Sequence, residues 1–384
     1  RRVAVVAVQQ TRHASNRRDS SSSEMVYEVA RGALNSLGID REQIDTVVES
    51  SSDYWDGTGC SNIATVDAAG ANLKEESKVE EDGALAFVYG YMRILSGLFD
   101  TALVVSHTKT HPRSSTAITS LSCDPIFQRP VGLDDISGAA MQAALYMKHI
   151  GATKSQLALV VTKNLGNALK NKFAHRRANI TVQDVLESKV LAHPLHNLDC
   201  AVPCDGACAV VLASERMAHK LTSRPAWIEG LGYATDSYYL GDRDLLGLEA
   251  LKTASRKAYR AAGISKPSDQ IDVAEIAEPF SYMELLHCEK LGLCREGFGG
   301  QFIENGVTQL KGKLPVNPSG GVISTNPYIA RGLLRIGEAA MQVMRQAEAH
   351  QVSGCELALA HSTSGLSGQL HTAVILSSKE RRTA

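Results

Sequence analysis

The chain has no apolar stretch approaching the roughly 20 residues of a membrane-crossing helix, so no span is expected. Charge of one sign is also lacking: 40 Lys and Arg stand against 41 Asp and Glu, a formal net charge of -1. Without a dominant positive field, nucleic acid is not an expected partner. Paired CxxC spacing is missing. The eight cysteines lie scattered at positions 60, 123, 200, 204, 208, 288, 294 and 355. A chain of 384 residues needs no disulfide framework, and reduced thiols in a cytoplasmic protein are the simplest account. Cys200, Cys204 and Cys208 recur every fourth residue, yet residues 207–213 (ACAVVLA) read as a buried strand. On a strand that spacing does not converge, so no metal is expected. Nothing at the start has the form of a secretory leader: Arg1 and Arg2 precede only the short apolar run 3–8, with no small-residue cleavage site after it.

Hydrophobic residues make up 44% of the chain, enough for a large core, and the length points to two units or an internal duplication. The opening run 3–11 (VAVVAVQQT) reads as a buried strand. An amphipathic helix over 24–37 follows, closed by Gly38, and IDTVVES at 44–50 reads as the next strand. Strand, helix, strand predicts a parallel pair with a right-handed crossover. The phrase returns later: a helix over 248–262, Gly263 and a strand over 271–279. The repetition continues with a helix over 84–96 and strand TALVVSH, then a helix over 332–350 and strand CELALAHS. Each half closes on a hydrophobic strand, ACAVVLASE near 207–215 and HTAVILSS near 371–378. Two related halves, 1–215 and 216–384, are the expected organisation. Residues from about 108 to 200 form an insertion in the first half, with helices at 134–150 and 181–189 and a strand at 156–162. It is expected to cap the site. One dense basic stretch, Lys170, Lys172, Arg176 and Arg177, is either a solvated face or a dock for an anionic group such as a nucleotide phosphate.

Several segments resemble one family. KNLGNALKNKFAHRRANITVQDVLESKVLAHPLHNLDC (163–200), PCDGACAVVLAS (203–214), AEIAEPFSYMELLHCEKLGLC (274–294), PVNPSGGVISTNP (315–327) and HSTSGLSGQLHTAVIL (361–376) are similar to blocks of the thiolase superfamily. The similarity is to sterol-carrier-protein thiolases of the acetyl-CoA acetyltransferase family. It implies an α/β thiolase fold of two duplicated βαβ-rich halves with a helical cap insertion in the first. It also implies a CoA thioester as substrate with no tightly bound cofactor, and a homodimer or a heteromer.

The family's chemistry makes or breaks a carbon–carbon bond beside a thioester carbonyl. It uses a nucleophile, a base and donors for oxyanions. The positions that the resemblance assigns to these groups depart from the pattern. Where the nucleophilic Cys belongs, at a helix start, stand Glu80, Glu81, Asp82 and Gly83; acids there repel a thiolate and can instead cap the helix. Ala277 matches the His of the HDCF-like motif, Asn326 matches the His of Gly-His-Pro, and no cysteine falls at 361–364. Among the polar groups left, Asn326 is a candidate oxyanion holder, while Tyr328 and His361 are candidate acids or bases. Asn317, Ser319, Gly320 and Gly321 form a loop suited to close approach by a ligand, and Phe280 is a further candidate for substrate binding. Lys170, Lys172, Arg176 and Arg177 become candidates for the CoA phosphates. Glu284 and His287, three apart on a helix, are expected to pair as a structural ion pair.

Three readings stay open. The first is a thiolase-like acyltransferase, or a subunit of one, lacking the usual Cys. The second is a Tyr-dependent retro-aldolase on an acyl-CoA, working with a zinc- and OB-fold-containing partner protein. The third is a non-catalytic subunit supporting a thiolase paralogue.

Overall fold

A computed structural model describes residues 1–109 and 115–379. Residues 110–114, at the start of the expected insertion, lie outside the described residues. In chain order the strands are β1 Val3–Gln10, β2 Thr46–Ser51, β3 Glu75–Glu80, β4 Thr101–Thr108, β5 Val190–Ala192, β6 Leu195–His196, β7 Gly206–Ser214, β8 Ala226–Thr235, β9 Val273–Ile276, β10 Leu357–Ser364 and β11 Leu370–Ser377. The principal helices are α1 Ser22–Leu37, α2 Gly83–Leu95, α3 Asp135–Ile150, α4 Lys154–Ala168, α5 Val182–Glu187, α6 Glu215–Leu221, α7 Glu249–Ala262, α8 Ser281–Lys290 and α9 Arg331–Met344.

Nine strands form one mixed sheet, in the order β3-β2-β4-β7-β1-β8-β11-β10-β9. The order reads alike outward from the β1–β8 join. β7 and β11 lie next, antiparallel to the inner strands; β4 and β10 follow, with β2 and β9 parallel beside them. Beyond β9, where the first half has β3, a parallel bridge joins Ala274 to Val316. β1 and β2 do run parallel, but β7 and β4 separate them, so the expected adjacent pair does not form.

Local signals account for the repeated helices. Ser21 caps α1 and exchanges bonds with Glu24, while Gly38 closes it at φ 65, a left-handed conformation open to glycine. Gly263 closes α7 at the same φ of 65. Asp82 caps α2 by accepting the Ala84 N–H. The apolar residues divide into three main clusters: one under α1, one between the sheet and α2 with α9, and one beneath α3, α7 and α8.

Three expected elements change. Residues 156–162 are not a strand but the middle of α4, which starts at a Thr153 cap box with Gln156. Leu157, Ala158, Val160, Val161 and Leu165 are all buried, and a helix enclosed on several sides reads like a buried strand. The helix expected over 332–350 ends at Met344, where Arg345 turns left-handed at φ 61. The strand expected over 271–279 pairs only over Val273–Ile276. No helix among the described residues is long and apolar enough to cross a membrane.

α7 lies so close to β8 that a Cβ on Gly230 would sit 2.1 Å from the Ala258 carbonyl oxygen, and one on Gly232 2.1 Å from that of Ala254. Overpacking here must push a helix off its sheet. Gly230→Ala is expected to cost about 3 kcal/mol or more, measured as a lowered urea midpoint; an unchanged midpoint contradicts this packing.

Candidate functional site

The chain from Asn326 to Arg331 is held from several sides. Cys204 N–H donates to the Asn326 carbonyl at 3.0 Å, Thr108 Oγ1 accepts the Ile329 N–H at 2.9 Å, and Gly83 N–H donates to the Ile329 carbonyl at 2.9 Å. This delivers Asn326, Tyr328 and Arg331 to a cleft. The opposite walls are Asp135 and Ile136 at the start of α3, Cys200, Phe280 and Met283, and the closing loop with Thr363, Ser367 and Gly368. The cleft has a volume of about 60 Å³.

Tyr328 stacks on Trp55, ring centroids 4.4 Å apart, and the Arg331 guanidinium lies over the Tyr328 ring, 4.5 Å from its centroid, and bonds its hydroxyl. Burial pushes the Tyr328 hydroxyl well above its usual range, so it carries its proton at neutral pH. Burial likewise raises the carboxyls of Asp135, Glu81 and Asp82, each opposed by the Arg331 charge. Asp82 accepts from Ser362 Oγ at 2.9 Å as well as capping α2. A thiol does reach the lining: Cys200. Its Sγ donates to the His196 carbonyl at 3.4 Å, and burial, with Asp199 and Asp135 nearby, pushes its pKa up, the opposite of an activated nucleophile.

The sequence candidates separate. Asn326, Tyr328 and Phe280 meet in the cleft. His361 does not end its strand; it sits inside β10, fully buried. Its Nε2 shares a 3.0 Å bond with His371 Nδ1, and its ring lies 4.8 Å from that of His287. Burial and the two neighbouring imidazoles drive its pKa well down, so it is a neutral packing group. Glu284 and His287 do not pair. Glu284 binds Lys163 at 2.6 Å, while His287 Nδ1 bonds the Ala277 carbonyl at 3.0 Å.

The loop 317–321 is packed against protein. Asn317, left-handed at φ 54, accepts the Ile276 N–H at 2.8 Å and donates to Glu284 at 2.9 Å. Ser319 donates to Glu275 at 2.7 Å, and Glu275 pairs with Arg335 at 2.6 Å. A Cβ on Gly321 would fall 1.9 Å from Glu278 Oε1, and one on Gly320 2.7 Å from the Ala168 Cβ. The glycines admit neighbouring side chains, not a ligand. A polar stripe at helical spacing grips this loop: Lys163 donates to the Val316 carbonyl at 2.8 Å, Asn167 to that of Asn317 at 3.0 Å and Asn171 to that of Ser319 at 3.1 Å.

The basic stretch is not gathered either. Lys170 and Arg177 are exposed, Lys172 pairs with Glu348 at 2.6 Å, and Arg176 donates to the Cys200 carbonyl at 3.2 Å. Sequence reasoning missed Arg331, Asp135, Thr363 and Ser367. Only Arg331 left a signal, a cation at a helix start, where the dipole disfavours it.

Comparison with known proteins follows this geometry. A family model described as "Thiolase C-terminal domain-like" matches residues 232–378. An acetyl-CoA acetyltransferase of Methanothermobacter thermautotrophicus is 31% identical over 376 residues, 96% of this chain and 97% of that one. The benzoylsuccinyl-CoA thiolase subunit BbsB of Thauera aromatica is 31% identical over 295 residues, 74% of each chain. Among solved structures, an Ltp2-ChsH2(DUF35) aldolase superposes with TM-score 0.85 at 24% identity over 98% of both chains. Human mitochondrial 3-ketoacyl-CoA thiolase superposes with TM-score 0.75 at 16% identity over 99% of both. At these identities the structural likenesses speak for the fold.

Glu278 supplies a test of the packed region. It is fully buried, accepts from Asn164 at 3.0 Å and the Ile323 N–H at 3.1 Å, and leaves Oε2 without a partner. Burial, then the Glu284 charge, raises its pKa from 4.5 to about 8. The folded chain therefore keeps a proton that the unfolded chain sheds. The associated stability is full below about 4.5 and is lost as pH rises to about 8. Glu278→Gln is expected to raise the melting temperature relative to the parent more at pH 8.5 than at pH 5. An equal difference at both pH values overturns this protonation.

Proposed function

Because the chain belongs to the thiolase family, we propose that it acts on a CoA thioester at the Asn326–Tyr328 cleft, making or breaking the carbon–carbon bond beside the thioester carbonyl without a thiolate. One observation carries this reading. The thiol in the cleft wall is held protonated, whereas a Tyr hydroxyl, an Asn side chain and a carboxyl converge on the same small space. A thiolase acyl transfer needs a sulfur or equivalent nucleophile. A retro-aldol cleavage needs only proton transfer and a held enolate, so the geometry favours that alternative. In it, a base removes the proton of a β-hydroxyl and the Cα–Cβ bond breaks to leave a carbonyl product. The enolate of the shortened acyl-CoA is then protonated at Cα. A carboxylate lining the cleft serves as the base, Tyr328, which carries its proton, as the acid that protonates Cα, and Asn326 as a donor to the thioester oxygen. Lys170, Lys172, Arg176 and Arg177, though not gathered, remain the candidates for the CoA phosphates.

The reading extends to organisation. The chain divides near residue 215, with the stretch between β4 and β7 capping the cleft through Asp135, Ile136 and Cys200. A second protein chain completes the working enzyme, a thiolase paralogue or a zinc- and OB-fold-containing partner. One relative is named a thiolase subunit, and a neighbour in fold is titled an Ltp2-ChsH2(DUF35) aldolase, which supports this reading.

Tyr328→Phe is expected to lower turnover of a cleavable acyl-CoA by about 10²–10⁴-fold while leaving the melting temperature within a few degrees. Iodoacetamide treatment of the parent is expected to leave turnover intact. Full activity in the Phe variant, or inactivation accompanied by labelling at Cys200, overturns the thiolate-free assignment.

A further inference from the structure

The cleft holds a cation that the proposed chemistry does not use. Arg331 is 4% exposed and lines the enclosed space. It stands first in α9, a helix of 14 residues, where the positive end of the helix dipole repels it. It forms no ion pair with a described residue. Of the other buried cations among the described residues, Lys163 and Arg335 each contact a carboxylate at 2.6 Å, whereas Arg243 donates to the Leu366 carbonyl at 2.8 Å. A buried guanidinium without a paired carboxylate is costly to keep, and in a cleft it can serve an anion that arrives.

The surrounding walls point the same way. Thr363 Oγ1 and Ser367 Oγ line the cleft, are buried to 2% and 5% exposure, and have no hydrogen-bond partner. Asn326 Oδ1 also lacks one. The charged neighbours on every side are Glu81, Asp82 and Asp135. Asp82 is already engaged by Ser362 and the Ala84 N–H, and Asp135 by Thr119 at 2.8 Å. Burial raises all three carboxyls, and the Arg331 charge opposes the shift in each.

We propose that Arg331, with the hydroxyls of Thr363 and Ser367, receives a carboxylate carried on the acyl chain, so that the substrates of this site are CoA thioesters of dicarboxylic acyl groups. A guanidinium and two hydroxyls match a carboxylate's two oxygens, and charge-assisted bonds of this kind discriminate strongly against an uncharged end. Arg331 is thus a specificity residue, distinct from the proton-transfer role given to Tyr328. The inference rests on the reading that this cleft binds CoA thioesters.

The test compares succinyl-CoA with butyryl-CoA, which share every CoA phosphate and differ in the terminal carboxylate. Titration calorimetry of the full chain at pH 7 is expected to show at least tenfold tighter binding of succinyl-CoA. Arg331→Met is expected to abolish that preference while retaining butyryl-CoA binding, and Arg331→Lys to keep part of it, each checked for an intact melting transition. Equal affinity for the two ligands in the parent, or a preference unchanged in R331M, overturns the carboxylate assignment alone. Binding of neither ligand overturns the CoA-thioester reading and this inference with it.

Discussion

Four carboxylates lie in the interior on or beside the second half-sheet, and the fold depends on how they are neutralised. Glu275 meets Arg335, Glu284 meets Lys163, and Glu338 meets His350 at 2.9 Å. The three partners come from different places: α9, α4 in the stretch between β4 and β7, and the turn after α9. Withdrawing such ions from water is favourable only when the geometry is good and the leftover hydrogen-bonding sites are filled. Gln10 and Asn171 complete Glu338, and Asn164 and Asn317 complete Glu284. These requirements lock α4, the 317–321 loop and α9 into one arrangement. Glu278, the member without a cation, is accommodated by remaining an uncharged acid.

This explains which parts of the molecule were legible in the amino-acid order. Strands and caps that depend on neighbours in the chain were readable, as the Ser21–Glu24 box and the Gly38 and Gly263 closures show. The family and its fold could be read from extended blocks. What failed depended on distant residues. The run LALVV in α4 has no local mark separating a buried helix from a buried strand. The Asn-x-x-Gly-Gly loop looked ligand-facing because paired glycines permit close approach, and nothing nearby announced that the approaching groups were Glu278 and Ala168. His361 was misplaced for a similar reason: its companions, His287 and His371, come from α8 and β11. Asn326, Tyr328 and Phe280 did meet, because short anchored segments on both sides of the cleft leave them little choice.

The cleft also shows how a site's electrostatics follow from helix ends. Asp82 is at the start of α2, where an anion is welcome, and Arg331 is at the start of α9, where a cation is not. The two helices pack on one another, and a Cβ on Gly332 would lie 2.0 Å from Asp82 Oδ1. The carboxyl and the guanidinium therefore share a region in which one suits its helix and the other does not. Chemistry that relies on protonated oxygen groups is compatible with such a setting.

The central join has a mechanical corollary. β1 and β8 pair over only two positions, Ala4 with Trp227 and Val5 with Ala226, although each strand continues well beyond them. A sheet sutured by so short a seam transmits little shear along its middle. The wings are also joined by α9, which packs on β1 and β7 as well as on β8, β9, β10 and β11, and the Asn326–Arg331 segment, tethered to Thr108 and Gly83 on one wing, leads into that helix. A small tilt between the wings would be felt first as a change in the mouth of the cleft.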